Sequence, residues 1–156
     1  MAVEIERKFL VDMDLLPELP AGIAIKQGYL PSSNNTVTRV RFKGKCAFLT
    51  IKGENNAAGT SRLEFEYPIP LADAEQMIAE LCVEPTVEKV RYEISLGSHI
   101  CELDVFSGDN QGLVVAEVEL IAEDERFERP EWFGLEVTGD NRYYNSSLVK
   151  APFTSW

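Results

Sequence analysis

One histidine and three cysteines in 156 residues leave little material for nucleophilic or soft-metal chemistry. His99 sits beside the turn Gly97-Ser98 and reads as a surface residue, so no Ser–His or Cys–His device is indicated. Cys46, Cys82 and Cys101 are odd in number, widely spaced and set among apolar residues, which suits buried thiols in a reducing compartment better than disulfides or zinc. Basic residues are also scarce, with 15 Lys and Arg against 26 Asp and Glu and a formal charge of −11. A field of that sign repels nucleic acid and anionic membrane surfaces, leaving room only for a local basic pocket. No apolar run approaches membrane-spanning length, and Glu4, Glu6, Arg7 and Lys8 occupy the place where a secretory signal would be apolar. The expectation is a cytoplasmic protein, in which the Asn-x-Ser/Thr matches at Asn34 and Asn145 carry no glycosylation message. Gly44-Lys45 is not a phosphate loop, since that motif needs Gly at Arg39 and Ser or Thr at Cys46. There is no internal repeat, linker or low-complexity tract, and the length suits a single domain over residues 1–156.

What the chain does have is strands. Val3 to Val11, Ile23 to Leu30, Thr36 to Lys43, Ala47 to Lys52 and Ser61 to Ile69 alternate in the period of a pleated strand, with Gly28 as a candidate bulge. Thr86 to Leu96, His99 to Phe106 and Leu113 to Ile121 continue the series. The spacing of Ala74, Met77, Ile78 and Leu81 predicts a helix over 73–82, with Asp73 and Gln76 as a capping box. A second helix is expected over 141–150, after a short apolar stretch over 135–138.

One face of nearly every strand is charged. Glu4, Glu6 and Lys8 share a face, as do Arg39 and Arg41; Lys52 follows Thr50; then come Arg62, Glu64 and Glu66, Lys89 with Arg91, Glu102 with Asp104, and Glu117 with Glu119. Carboxylates two residues apart on a strand lie about 7 Å apart, and at an effective dielectric near 20 they repel by about 2.4 kcal/mol. Either water solvates these faces or cations sit against them. A single strand of this kind is ordinarily the wet side of an open sheet. Seven strands repeating the rule, with hardly a Thr, Ser or Gln among the charges, point instead to a closed barrel whose charged faces turn inward. The bases could grip a polyanion, and the paired acids could hold hard divalent cations. Trp132, Phe133 and Tyr143 read as outer core, and Gln27 and Tyr29 as packing that could also line the interior.

Glu4-Ile5-Glu6-Arg7-Lys8 resembles the Glu-x-Glu-x-Lys signature of the CYTH superfamily, the triphosphate tunnel metalloenzymes. The similarity continues in Thr38-Arg39-Val40-Arg41, Leu49 to Gly53, Arg62 to Glu66, Lys89 to Tyr92, Ala116 to Leu120 and Trp132 to Thr138, in family order. The resemblance implies an α+β, mainly antiparallel fold: an eight-stranded tunnel with a charged interior and a few covering helices. It implies metal-dependent hydrolysis of a linear triphosphate, inorganic tripolyphosphate above all, to pyrophosphate and phosphate. By position, Glu4, Glu6, Glu117 and Glu119 would bind two Mg2+ or Mn2+ ions, and Glu4, Glu6 and Lys8 would form the catalytic set. Lys8, Arg39, Arg41, Lys52, Arg62, Lys89 and Arg91 would grip the substrate. Glu64, Glu66, Glu102 and Asp104 would orient these groups or water.

The same scaffold serves class IV adenylate cyclases, thiamine triphosphatases and RNA triphosphatases, and a polyphosphate-binding module without catalysis is a further alternative. The expected partner is a small-molecule triphosphate, with neither nucleic acid nor membrane, in a monomer or homodimer.

Overall fold

The computed structural model describes residues 3–33 and 35–156; Asn34, one of the two Asn-x-Ser/Thr positions, lies outside the described residues. Nine strands form: β1 Val3–Val11, β2 Ile23–Leu30, β3 Val37–Lys43, β4 Cys46–Lys52, β5 Ser61–Ile69, β6 Val83–Leu96, β7 His99–Phe106, β8 Val114–Glu119 and β9 Phe133–Glu136. Two helices accompany them, α1 Leu71–Glu80 and α2 Asn145–Lys150. The strands hydrogen-bond in the order β5-β4-β3-β2-β6-β7-β8-β1, and β1 returns to β5 through the pairs Val3 with Leu63, Glu4 with Arg62 and Ile5 with Ser61. All pairings are antiparallel, so the eight strands close into a barrel. β9 was not foreseen as a strand. It continues the free edge of β1 beyond β5, pairing Phe9 with Glu136 and Val11 with Phe133.

The alternation holds on the inside, and its one outlier has a partner on the outside. Arg7 points outward and bonds Glu136 of β9, with Nε 2.8 Å from Oε2. Gly28 marks a register shift between Gln27 and Tyr29, as its position suggested. A Cβ there would lie 2.9 Å from Cys82 Sγ, so the glycine lets the end of α1 approach the strand.

The helix limits differ from those expected. Helix α1 begins two residues early, with Pro70 as its N-cap at φ −59° and no side-chain cap, so the Asp73/Gln76 capping box does not form. Proline already holds the dihedral the cap needs, and its carbonyl accepts the first intrahelical bond, from Ala74 N–H at 3.1 Å. The C-terminal helix is shorter, because a 3-10 turn over Asn141–Tyr143 ends at Tyr144 in extended conformation before α2 starts.

Two apolar clusters cover the barrel from outside. Val40 and Ala47 pack against Ala74 of α1, while Cys101, Leu103, Ala116 and Val118 lie under Trp132 with Phe127 and Phe133 against them. The cover is incomplete: Leu63, Phe65 and Tyr67 on the outer face of β5 are 43%, 41% and 54% exposed. A third cluster lies inside. Tyr29, Val87, Phe106, Leu113 and Val115 meet Val137, Tyr143, Leu148 and Val149 of the C-terminal segment. Tyr143 therefore belongs to the inner cluster that closes one end of the barrel, where the sequence had placed it in the outer core. Apolar residues turn inward at this end because α2 is there to bury them.

Candidate active site

Beyond that cluster the interior becomes a cavity of about 220 Å³, lined by residues of all eight barrel strands together with Tyr144, Asn145 and Ser146. Every charged residue singled out from the sequence lines it except Asp104, which is 1% exposed and lies directly behind Lys89 and Arg91. Strand order explains the convergence. Three strands lie between β3 and β8 in either direction round the barrel, so Arg39 and Arg41 face Glu117 and Glu119 across the lumen, with Glu4, Glu6 and Lys8 beside the latter on β1.

Most of the charges are already paired. Lys52 Nζ lies 2.9 Å from Glu4 and 3.0 Å from Glu64, and Arg62 stands 3.6 Å from the same Glu4 oxygen. Lys8 lies 3.6 Å from Glu117. Arg91 meets Asp104 through two bonds of 2.8 and 2.9 Å and Glu102 through a third of 2.7 Å. Lys89 lies 2.7 Å from Asp104 Oδ2, the oxygen that also accepts from Arg91 Nη2. These pairs offset the burial of the charged groups.

The unbalanced charges are informative. Arg41 has no carboxylate partner among the described residues, only Gln27 Oε1 at 2.9 Å; burial, with Arg39 and Arg91 nearby, pulls its pKa down to about 10. Arg39 contacts Thr50 and, at 3.5 Å, Glu66, yet its Nε is buried with no acceptor. A buried unpaired donor costs about 1–3 kcal/mol, and an anion in the cavity would supply the missing acceptor. On the opposite wall, burial and then the neighbouring Glu117 and Glu4 push Glu6 well above the usual carboxylate range. Glu119 is raised by burial, then by Glu4 and Glu102. Glu117 is held well below that range against its burial, chiefly by Lys8 and Arg91. Among the described residues Arg41 on one wall thus lacks a carboxylate partner, and Glu6 and Glu119 on the other lack a cationic one.

The donors of the acidic wall are carboxylate oxygens, the chemistry that Mg2+ and Mn2+ prefer, and Glu6 and Glu119 have charge to share. Among the described residues no three metal-binding side chains are gathered into a ready cage. Glu4 is engaged by Lys52 and Arg62, and Glu117 by Lys8, so a cation would have to displace ammonium partners. The donor set fits a hard cation in kind.

Tyr143 to Ser146 form the end wall. Lys8 Nζ donates to the Tyr143 carbonyl at 3.3 Å, and Asn145 Oδ1 accepts from Gln27 at 3.2 Å and Lys89 at 2.9 Å. Tyr144 receives Asn55 Nδ2 at 2.9 Å, and the Lys8 and Arg62 cations stand 5.4 and 5.7 Å over its ring. The sequence reading missed Tyr144 and Asn145, whose only signal was a glycosylation-like triplet. It also missed Lys43, although the alternation of Arg39 and Arg41 leads straight to it.

The CYTH domain family model matches residues 2–151. The chain belongs to the CYTH family. This CYTH domain is 43% identical over 156 residues to an inorganic triphosphatase of Acetivibrio thermocellus, covering 100% of this chain and 99% of the relative. It is 41% identical over 150 residues to an inorganic triphosphatase of Nitrosomonas europaea, covering 94% and 96%. A crystal structure described as an inorganic triphosphatase superposes on it with a TM-score of 0.66 and 37% identity, covering 96% of this chain and 95% of that one. The closed barrel expected from the charged faces, and the eight strands expected from the resemblance, are thus the fold of the family.

Proposed function

We propose that this CYTH domain hydrolyses inorganic tripolyphosphate to pyrophosphate and phosphate with the help of divalent cations. The observation that carries the reading is the division of the cavity: among the described residues, the unbonded Arg39 Nε and the Arg41 guanidinium without a carboxylate partner, both on β3, face carboxylates without a cationic partner, Glu119 on β8 and Glu6 on β1. A linear triphosphate with bound cations is complementary to both walls. The full-length relatives named inorganic triphosphatase point to the same substrate.

Arg39 and Arg41 would receive phosphate oxygens, since guanidinium forks match them in geometry and the Arg39 Nε stands ready. Lys52, Arg62, Lys89 and Arg91 would add charge around the chain while their carboxylate partners hold them in place. Glu64 holds Lys52, Glu4 holds Arg62, Asp104 holds Lys89 and, with Glu102, Arg91, while Glu66 stands against Arg39, which gives a physical content to the orienting role read from the sequence. Glu4, Glu6, Glu117 and Glu119 would hold Mg2+ or Mn2+, which when bound would neutralise phosphate charge and lower the pKa of a water. The water oxygen bonds to the terminal phosphorus, the bridging P–O bond breaks with its electrons leaving on pyrophosphate, and the water proton goes to solvent or to a cavity base. Lys8, between Glu117 and the closed end, would stabilise charge as it develops.

The closed end limits what enters. With Tyr143 and Asn145 bonded to Lys8 and Lys89 at that end, a substrate would enter from the opposite mouth, where a bulky group would remain. The direct test is phosphate release from tripolyphosphate, ATP and thiamine triphosphate with Mg2+, Mn2+ or a chelator. Metal-dependent turnover of tripolyphosphate well above the others supports the reading. Tight binding without release would make the domain a sensor, and pyrophosphate released from ATP would make it a cyclase.

A further inference from the structure

A chain with a formal charge of −11 repels a polyanion at long range, so capture requires a local attraction at the mouth. The mouth is divided. On the β6–β8 side, Glu93, Glu102, Glu119 and Glu125 line an adjoining hollow that shares Glu102 and Glu119 with the main cavity. His99 faces them, with Nε2 2.8 Å from Glu125. An incoming phosphate chain is repelled from that side. On the β3 side stands Lys43.

Arg39, Arg41 and Lys43 are alternate residues of β3, so their Cα atoms follow one another at about 7 Å on the same inward face. Val37, at the other end of the strand, packs against the closing cluster, which puts Lys43 farthest from the closed end. Arg39 spends donors on Thr50 and Glu66, and Arg41 on Gln27. Lys43 lines the same cavity, is half-buried, and makes no side-chain hydrogen bond or ion pair among the described residues.

We propose that Lys43 captures the incoming polyphosphate at the mouth and hands it down the strand to Arg41 and Arg39, setting the affinity without entering the chemical step. This rests on the triphosphate reading above. A lysine suits the task because its ammonium is a mobile point charge with three donors on a flexible stem, whereas the two arginines deeper in the cavity are held in one geometry. Contact with a group far from the scissile bond is the same in ground and transition states, so it acts on KM and leaves kcat alone. The charge is partly solvated, so its influence must fade as salt shortens the screening length from about 30 Å at 0.01 M to about 3 Å at 1 M.

The test compares Lys43→Gln, Lys43→Arg and Lys45→Gln, the last removing the same charge from the exposed turn beside the mouth. KM and kcat are measured with tripolyphosphate and Mg2+ at low and high salt, and Kd for tripolyphosphate by calorimetry without divalent metal. Lys43→Gln is expected to raise KM and Kd about fivefold at low salt, the worth of one contact charge pair in water, with kcat unchanged and the effect nearly gone near 1 M. Lys43→Arg should restore both constants, and Lys45→Gln should move neither. A fall in kcat, an equal effect from Lys45→Gln, or no change in Kd would each overturn the proposal. If the unaltered protein releases no phosphate, the triphosphatase reading fails on its own, and the Kd comparison still decides the role of Lys43.

Discussion

Asp104 and Arg91 form a two-bonded fork between neighbouring strands, Nε to Oδ1 at 2.8 Å and Nη2 to Oδ2 at 2.9 Å, and the same carboxylate holds Lys89 at 2.7 Å. One buried anion thus holds two buried cations from behind the cavity wall, with Glu102 as a second partner of Arg91.

Asp104→Asn should therefore destabilise the fold as well as impair function. Breaking a buried pair by removing one partner costs about 3–5 kcal/mol, because the other charge stays buried, and Asn keeps the shape but not the charge. For a chain of this size the loss corresponds to a Tm lower by about 6–20 °C. Calorimetry of the metal-free protein checks it, and an unchanged Tm would show that the two cations need no internal anion.

Glu6→Gln and Glu119→Gln separate metal binding from folding. Neither side chain forms an ion pair among the described residues, and burial with neighbouring carboxylates raises both pKa values and so disfavours both charges, so amides should leave Tm unchanged or higher. Turnover of tripolyphosphate should fall by at least about 100-fold, in the range for loss of a preorganised electrostatic group. Chelation of the unaltered protein should do the same and be reversed by Mg2+ or Mn2+. Full activity in either variant, with unchanged circular dichroism, would remove that residue from the metal set.

Lys89 links substrate binding to pH. Burial, opposed by Asp104 and reinforced by Arg91 and Arg41, lowers its pKa from 10.5 to about 7. A bound polyanion favours the ammonium and raises that pKa. Affinity is then at its full value below pH 7 and declines as pH rises from about 7 towards the pKa of the complex, with proton uptake on binding in that window. Calorimetry of tripolyphosphate binding in buffers of different ionisation enthalpy measures the uptake. It should shrink in Lys89→Met, whereas the same uptake in that variant would assign it to another group.

The C-terminal helix is a fixed part of the core. Leu148 is 1% exposed within the cluster that closes the barrel, so Leu148→Ala should cost about 2–5 kcal/mol, or about 4–20 °C in Tm. Tyr144→Phe removes only the bond to Asn55 and should change Tm little. A wild-type Tm for Leu148→Ala would mean that the segment leaves the barrel without penalty and acts as a gate.

The strands and the charged faces were legible because a strand's side chains alternate with period two, and that pattern is local. The bulge at Gly28 followed from the same reasoning. Helix α1 was found from the spacing of its apolar face, but its start was not, because the cap depended on whether Pro70 or Asp73 would hold the first turn. β9 was missed because four residues alternate too briefly to be recognised apart from β1, the strand they pair with.

The sequence by itself determined which residues face inward, their chemistry, and hence the kind of ligand they can hold: alternation is a property of the strand, and a charge needs no partner to be counted. Tertiary structure alone decided which charges neutralise one another and which remain free. Glu4 and Glu6 look alike in the sequence, yet one is held by Lys52 and the other is crowded by Glu117 of β8 and by Glu4 itself, because barrel closure sets the register between strands far apart in the chain. It also decided that the barrel has a closed end, since only packing shows that α2 turns its apolar face into the barrel to meet Val87 and Phe106.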